Sequence, residues 1–393
     1  MLPERFSNLP AHAWPRLRAL LDVHEGGGTP IHMTIGEPKH SFPSWVTDVI
    51  AENAAGFNIY PPNEGSPDLR QAICGFVQRR YGVTLDADSQ VMALNGTREG
   101  LYNAAMALCP ETKAGKRPVV LMPNPFYQVY MIAALSVAAD PVMVPATAET
   151  DHLPDYARLS DDILNRTTAA YICSPANPQG AVASRAYWTQ LIGLAERFDF
   201  KIFADECYSE IYRNEAPVGA LQVAEEIGAD PDRVVIFHSL SKRSNLPGLR
   251  SGFVAGGAKS ITEIRQLRNY AGAPLPQPIQ AASAAVWSDE EHVVENRRLY
   301  VEKYDIADRI LGNVAGFTSP QAGFFLWLPV DDGEVAAKKL WAETGVRVLP
   351  GAYLAGDVDG TNPGSGYIRV AMVAPKAETA RGIELIRDCL YPQ

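Results

Sequence analysis

An α/β fold is predicted, a mostly parallel sheet flanked by helices with a smaller α/β domain behind it, and three observations predict it. Short apolar runs at 119–122, 169–173, 201–204 and 234–237 alternate with helical segments, the pattern of strands buried on both faces. Polar residues fall just after each run, which brings side chains far apart in sequence to one rim of a sheet. At 273–278, APLPQP, three prolines break helix and strand alike, and the pattern beyond is different. Residues 1–45, rich in Pro and Gly, then form an arm, 46–278 a large domain and 279–393 a small one.

Within the arm a strand over 31–35 ends in the turn Thr34-Ile-Gly-Glu-Pro38. Residues 60–70, YPPNEGSPDLR, are turn chemistry leading into a helix, with Ser66 as N-cap and Pro67 at the first helical position. Asn95-Gly-Thr-Arg-Glu-Gly100 introduces Leu101, Ala104, Ala105 and Leu108, a helical stripe whose free N-terminal amides suit a phosphate. The buried strands follow, with another expected over 251–255. Beyond residue 278, Val293, Tyr300, Tyr304, Ala307 and Leu311 mark a long amphipathic helix. Strands at 324–328 and 367–372, a helix at 334–344 and a closing helix through Ile383, Ile386 and Leu390 complete the chain.

The 393 residues carry 35 basic against 45 acidic side chains, a net charge of −10, which argues against nucleic acid or an anionic membrane as partner. Five cysteines without a CxxC pair point to a reducing compartment. The seven histidines lack metal-ligand spacing, so no metal is expected. The N-terminus lacks a signal-peptide core, and the longest apolar run, 131–146, is interrupted by Asp140, Pro141 and Pro145. A cytoplasmic protein with no membrane partner is the expectation.

The chemistry gathers around Lys242. It follows the 234–237 run and two hydroxyls, Ser239 and Ser241, and precedes Gly248-Leu249-Arg250. An amine beside an anion site suits a Schiff base with a phosphate-bearing aldehyde, pyridoxal 5′-phosphate (PLP). That cofactor also needs a carboxylate at its ring nitrogen, donors for its 3′ oxygen, a flat partner for its ring and a cup for its phosphate. Asp205, ending a buried strand, suits the ring nitrogen. Asn177 and Tyr208 suit the 3′ oxygen, and Tyr127 the ring face. Ser239, Ser241, Arg250 and the amides of Thr97 and Arg98 make the phosphate cup. Cys207 reads as a small packed residue rather than a nucleophile.

SPANPQG at 174–180, DECY at 205–208, SLSK at 239–242, GLR at 248–250 and YIRV at 367–370 occur in that order. With them the chain resembles, over essentially its whole length, the fold-type I, PLP-dependent class I/II aminotransferases. The resemblance implies that Arg369 clamps the substrate α-carboxylate, helped by Asn177 and the backbone of Gly36. It also implies a homodimer in which Tyr60 reaches the cofactor phosphate of the neighbouring subunit, and an arm that joins the small domain. A ping-pong exchange between an amino acid and a 2-oxo acid follows, with Lys242 shuttling the proton.

GEPKH at 36–40, LNGTREGL at 94–101, PNPFYQVY at 123–130 and SLSKRSNLPGLRSGF at 239–253 are most similar to N-succinyl-diaminopimelate aminotransferases of lysine biosynthesis. Such a substrate implies extra cations in the pocket, with Arg98, Lys39 and Arg243 as candidates. Aspartate, alanine and aromatic aminotransferases stay open, as does a carbon–sulfur lyase on the same scaffold. An effector-binding half of a transcription regulator fits poorly, because no basic helix-turn-helix region precedes the fold.

Overall fold

A computed structural model describes residues 4–7, 9 and 11–392. Its strands are β1 (Ile31–His32), β2 (Val91–Leu94), β3 (Val119–Asn124), β4 (Asp140–Pro145), β5 (Thr167–Cys173) and β6 (Lys201–Asp205). They continue with β7 (Val234–Ser239), β8 (Gly252–Gly256), β9 (Phe325–Pro329), β10 (Val346–Arg347), β11 (Leu349–Pro350) and β12 (Tyr367–Ala371). Seven of them form one sheet in the order β2-β8-β7-β6-β5-β3-β4.

Alternation along these strands builds two cores. Val234 and Ile236 join one apolar cluster while Val235 and Phe237 join the other, and β3, β5 and β6 divide in the same way. Helices Pro67–Tyr81, Arg185–Phe198 and Gln277–Ser288 cover the first face, and Thr97–Leu108, Gln128–Ser136 and Ala258–Arg268 the second. Ser66 caps the first of these helices, its side chain accepting from the Leu69 amide at 3.3 Å, a cap worth about 1 kcal/mol.

The sheet is mixed. β8 runs antiparallel to both β7 and β2, because the connection from β7 is a short loop holding only the turns Leu240–Arg243 and Pro247–Leu249. That short return keeps Lys242 and Arg250 at the same rim. The strand expected at 251–255 is found one residue later. Strand β4 was hidden by its prolines; it lies at the sheet edge, where Pro141 and Pro145 are tolerated.

A third core joins helices Ala13–Leu21, Glu291–Leu311, Gly333–Thr344 and Lys376–Leu390 to the three-stranded sheet β11-β12-β9. The strand expected over 31–35 is limited to β1, which pairs in parallel with β10. Helix Gln277–Ser288 places Ala282, Val286 and Trp287 in the core of the large sheet, so that core continues past residue 278. The prolines of 273–278 start a helix there rather than mark the break. Among the described residues, no helix is long and apolar enough to cross a membrane.

Candidate active site

The C-terminal tips of β2, β3, β5, β6 and β7 open onto one cleft of about 390 Å³. Lys242, Thr97, Arg98, Tyr127, Asn177, Asp205, Tyr208, Ser239, Ser241, Arg250, Gly36 and Arg369 all line it. Tyr60 does not, and is 99% exposed.

Asp205 ends β6 and is buried. Its Oδ2 accepts from the Tyr130 hydroxyl at 2.8 Å and its Oδ1 from the Cys207 amide at 3.3 Å. Among the described residues no lysine or arginine forms an ion pair with it. Burial therefore holds its carboxyl above the usual carboxylate range, against the hydrogen bonds from Cys207 and Tyr130. A protonated ring nitrogen would supply the missing cation.

Lys242 follows in the turn after β7, its Nζ donating to the Gly36 carbonyl. Burial lowers this amine to about 8; Arg369 and Arg250 add to the effect, while Cys207 and Glu37 oppose it. Ser239 caps the turn, its Oγ accepting from the Ser241 amide at 3.1 Å. Opposite stands the N-terminus of helix Thr97–Leu108, entered through Gly96 at φ +84°. A Cβ on Gly96 would lie 2.3 Å from Arg250 Nη2, so the glycine lets the guanidinium lie against the helix start. Hydroxyls, free amides and a guanidinium thus surround one small volume, which is the chemistry of a phosphate cup.

Arg369 projects from β12. Its Nη1 donates to Asn177 Oδ1 at 2.9 Å, its Nη2 to the Thr34 carbonyl at 2.7 Å, and it lies 4.2 Å over the Phe325 ring. Its Nε is buried without a partner, and burial lowers the group to about 10. Among the described residues no carboxylate pairs with it, and a buried cation in that state is costly, so the place suits an anionic ligand.

Tyr127 Oη accepts from Arg98 Nε at 2.7 Å, and the Tyr127 ring packs edge-on to Tyr130 at 5.8 Å. Cys207 Sγ lies 3.1 Å from Thr97 Oγ1. Burial pushes its thiol well above the ordinary value, which suits the packed role rather than a nucleophile.

Two of the cations expected at the far end of the pocket lie elsewhere. Arg243 packs against the rings of Phe76 and Trp287 and pairs with Glu290 at 3.0 Å. It follows Lys242 in a helical turn, so its side chain leaves on a different face. Lys39 is exposed and outside the lining. Sequence reasoning missed His12 and Trp14, which reach the cleft from the start of helix Ala13–Leu21, and Tyr130 behind Asp205. The helix had a signal in Ala13, Leu17 and Leu21, spaced by four. Tyr130 had none, since a tyrosine in an apolar helix reads as core.

Residues 29–386 match the family described as aminotransferase class I and II. An LL-diaminopimelate aminotransferase of Dehalococcoides mccartyi is 31% identical, with 97% of each chain covered. The crystal structure of an aminotransferase from Neisseria meningitidis superposes with a TM-score of 0.94 at 37% identity, covering 98% of this chain and 99% of the other. A "probable N-succinyldiaminopimelate aminotransferase" from Thermus thermophilus superposes with a TM-score of 0.82 at 25% identity, covering 96% and 98%. A lysine beside an anion cup, an unpaired buried carboxylate and an unpaired buried guanidinium suit the cofactor those enzymes carry, and the chain belongs to the class I and II aminotransferases, the PLP-dependent transaminases.

Proposed function

We propose that the chain exchanges an amino group between N-succinyl-diaminopimelate and 2-oxoglutarate. The observation that carries this reading is the charge facing the cleft. Lys242, Arg98, Arg250 and Arg369 stand against the carboxylates of Asp205 and Glu37. With Asp205 facing the ring nitrogen, Arg250 the phosphate and Arg369 the α-carboxylate, Arg98 is left for a distal carboxylate of the substrate. The succinylated substrate has distal carboxylates and no distal ammonium. Free LL-diaminopimelate is the second reading, favoured by Glu37, whose carboxylate suits an ammonium, and by the name of the Dehalococcoides mccartyi relative.

PLP, when bound, supplies an aldehyde for the amino group and a ring that accepts electrons from the substrate Cα. The protein's own part is to bind, orient and move one proton. Arg369 and Asn177 fix the α-carboxylate, and the Phe325 face beneath Arg369 keeps water from the guanidinium. Asp205 would keep the ring nitrogen protonated, with the Tyr130 hydroxyl donating to its Oδ2. Asn177 and Tyr208 would donate to the 3′ oxygen, and Tyr127 would lie against the ring. Ser239, Ser241, Arg250 and the amides of Thr97 and Arg98 would hold the phosphate. Lys242 Nζ, lowered by burial to about 8, would take the proton from the substrate Cα and deliver it to the carbon of the cofactor's aldehyde within the same half-reaction.

The reading extends to a homodimer in which Tyr60 serves the site of a second copy. Tyr60 stands 99% exposed near Phe57 and Ile59, each 58% exposed, which supports a covered surface there. It extends also to residues 1–45 closing over the substrate with the C-terminal part, whose core helix Ala13–Leu21 shares. Five free cysteines support a reducing, cytoplasmic setting.

The test begins with protein supplied with PLP, reduced with borohydride and digested; the adduct is expected on the peptide containing Lys242. A donor panel with 2-oxoglutarate follows: N-succinyl-LL-diaminopimelate, LL-diaminopimelate, aspartate, alanine and phenylalanine. Fastest turnover of the succinylated donor is expected. Preference for another donor retires the lysine-pathway substrate, and pyruvate release from cystathionine without amino transfer retires the transaminase assignment.

A further inference from the structure

The pieces of chain that face the substrate share one buried polar hub outside the cleft. His40 Nδ1 lies 2.8 Å from Asn296 Oδ1, and His40 Nε2 lies 2.7 Å from Lys303 Nζ. An ammonium only donates and an amide oxygen only accepts, so Nδ1 carries the hydrogen and Nε2 accepts. Asn296 Oδ1 also accepts from Asn245 Nδ2 at 3.1 Å, while Asn296 Nδ2 donates to the carbonyls of Lys242 and Arg243, both at 3.4 Å. Lys303 donates further to the Met372 carbonyl at 3.0 Å, directly after the strand that carries Arg369.

The hub therefore joins the arm just beyond Gly36 and Glu37, the main chain of Lys242 and the end of the Arg369 strand. Asn296 and Lys303 are 3% and 1% exposed, and among the described residues no carboxylate pairs with Lys303. Burial lowers Lys303 to about 7, and Lys39 adds to this. Burial lowers His40 as well, with Lys303 adding to that shift and Asn296 and Glu295 opposing it. The Tyr300 ring completes the enclosure, 4.6 Å from the imidazole and 4.9 Å from Lys303 Nζ. An apolar residue would fill the place of Lys303 at less cost. What the ion adds is geometry, one donor head tying two otherwise separate segments together.

We propose that His40 and Lys303 are positioning residues for transamination, fixing the spacing between the Gly36 turn, the Lys242 main chain and Arg369 that the substrate α-carboxylate requires. The proposal rests on the reading of Lys242 and Arg369 as substrate-facing.

The test compares the holoenzyme with His40→Ala, Lys303→Met and the double variant. Each single change is expected to raise KM for the amino donor about tenfold while kcat falls about threefold or less, because a small misplacement weakens binding before it stops the chemistry. The double variant is expected to match the worse single one, since both remove the same link. His40→Asn keeps a donor where Nδ1 meets Asn296, but its shorter side chain places no acceptor where Nε2 meets Lys303, so its KM falls between wild type and His40→Ala. It also decides the question if Lys303→Met does not fold. In the apoprotein, amide hydrogen exchange at 36–40 and 242–245 is expected to quicken in the variants while 201–205 stays protected.

Unchanged KM with only a lower thermal midpoint, or exchange quickened over the whole fold, overturns the proposal and leaves a purely structural role. A wild-type protein without amino transfer fails the underlying reading instead, and the apoprotein exchange pattern then decides the hub.

Discussion

Arg369 meets Asn177 across the cleft, Nη1 to Oδ1 at 2.9 Å, although one stands on the three-stranded sheet and the other follows a strand of the seven-stranded one. The guanidinium spans the two sheets, and among the described residues no carboxylate pairs with it. Arg369→Met is expected to raise KM for every amino donor by about a hundredfold, the loss typical of a buried charge contact. The same change removes an unpaired buried cation, so the apoprotein's thermal midpoint is expected to rise. Steady-state kinetics and calorimetry on one preparation check both directions.

Asp205→Asn separates the needs of the ring from those of the fold. Burial raises the Asp205 pKa, so the folded chain holds that proton more tightly than the unfolded one. Its favourable contribution is present below the unfolded carboxylate value and is lost as pH rises through the folded value. At neutral pH the apo variant is therefore expected to be more stable than wild type, and the gap to narrow as pH falls towards about 4. Turnover is expected to drop by about a hundredfold. Denaturant melts across a pH series, beside kinetics, make the check.

In the apoprotein, Lys242 is expected to react with an amine-acylating reagent with a half-maximal rate near pH 8. An unperturbed lysine titrates near about 10.4. Removing the Arg369 charge relieves part of the lowering, so Arg369→Met is expected to move the Lys242 midpoint upward. Mass spectrometry of the labelled peptide follows both, and a wild-type midpoint near 10 contradicts the assignment.

Gly96→Ala forces a side chain onto a backbone at φ +84° and into the Arg250 guanidinium. PLP affinity is expected to fall about tenfold, the loss of one charge-assisted contact. Titration of the apoprotein with PLP reads this directly, and unchanged affinity removes Arg250 from the phosphate cup.

The strands that position the cleft were legible because apolar runs ended abruptly in SPANPQG, DECY and SLSK. Local sequence marks such endings well. Long-range geometry was less legible. Arg243 looked like a pocket cation because it sits beside Lys242, yet one helical step sends it behind Phe76 and Trp287. Strand β4 was masked by prolines that only an edge position permits. His12 and Trp14 enter the cleft because helix Ala13–Leu21 docks on distant C-terminal elements, a pairing no local pattern encodes.

Among the described residues, strand β2 finds its hydrogen-bonding neighbour only in β8, Val91 opposite Ala255. The earliest-made edge of the great sheet must therefore wait for one of its latest-made pieces. Loop closure over so long a span is slow, and a ribosome-bound chain halted before Arg250 would keep β2 unzipped and its following helix without that guanidinium. The guanidinium thereby meets the start of that helix only once nearly every strand of the large sheet has left the ribosome.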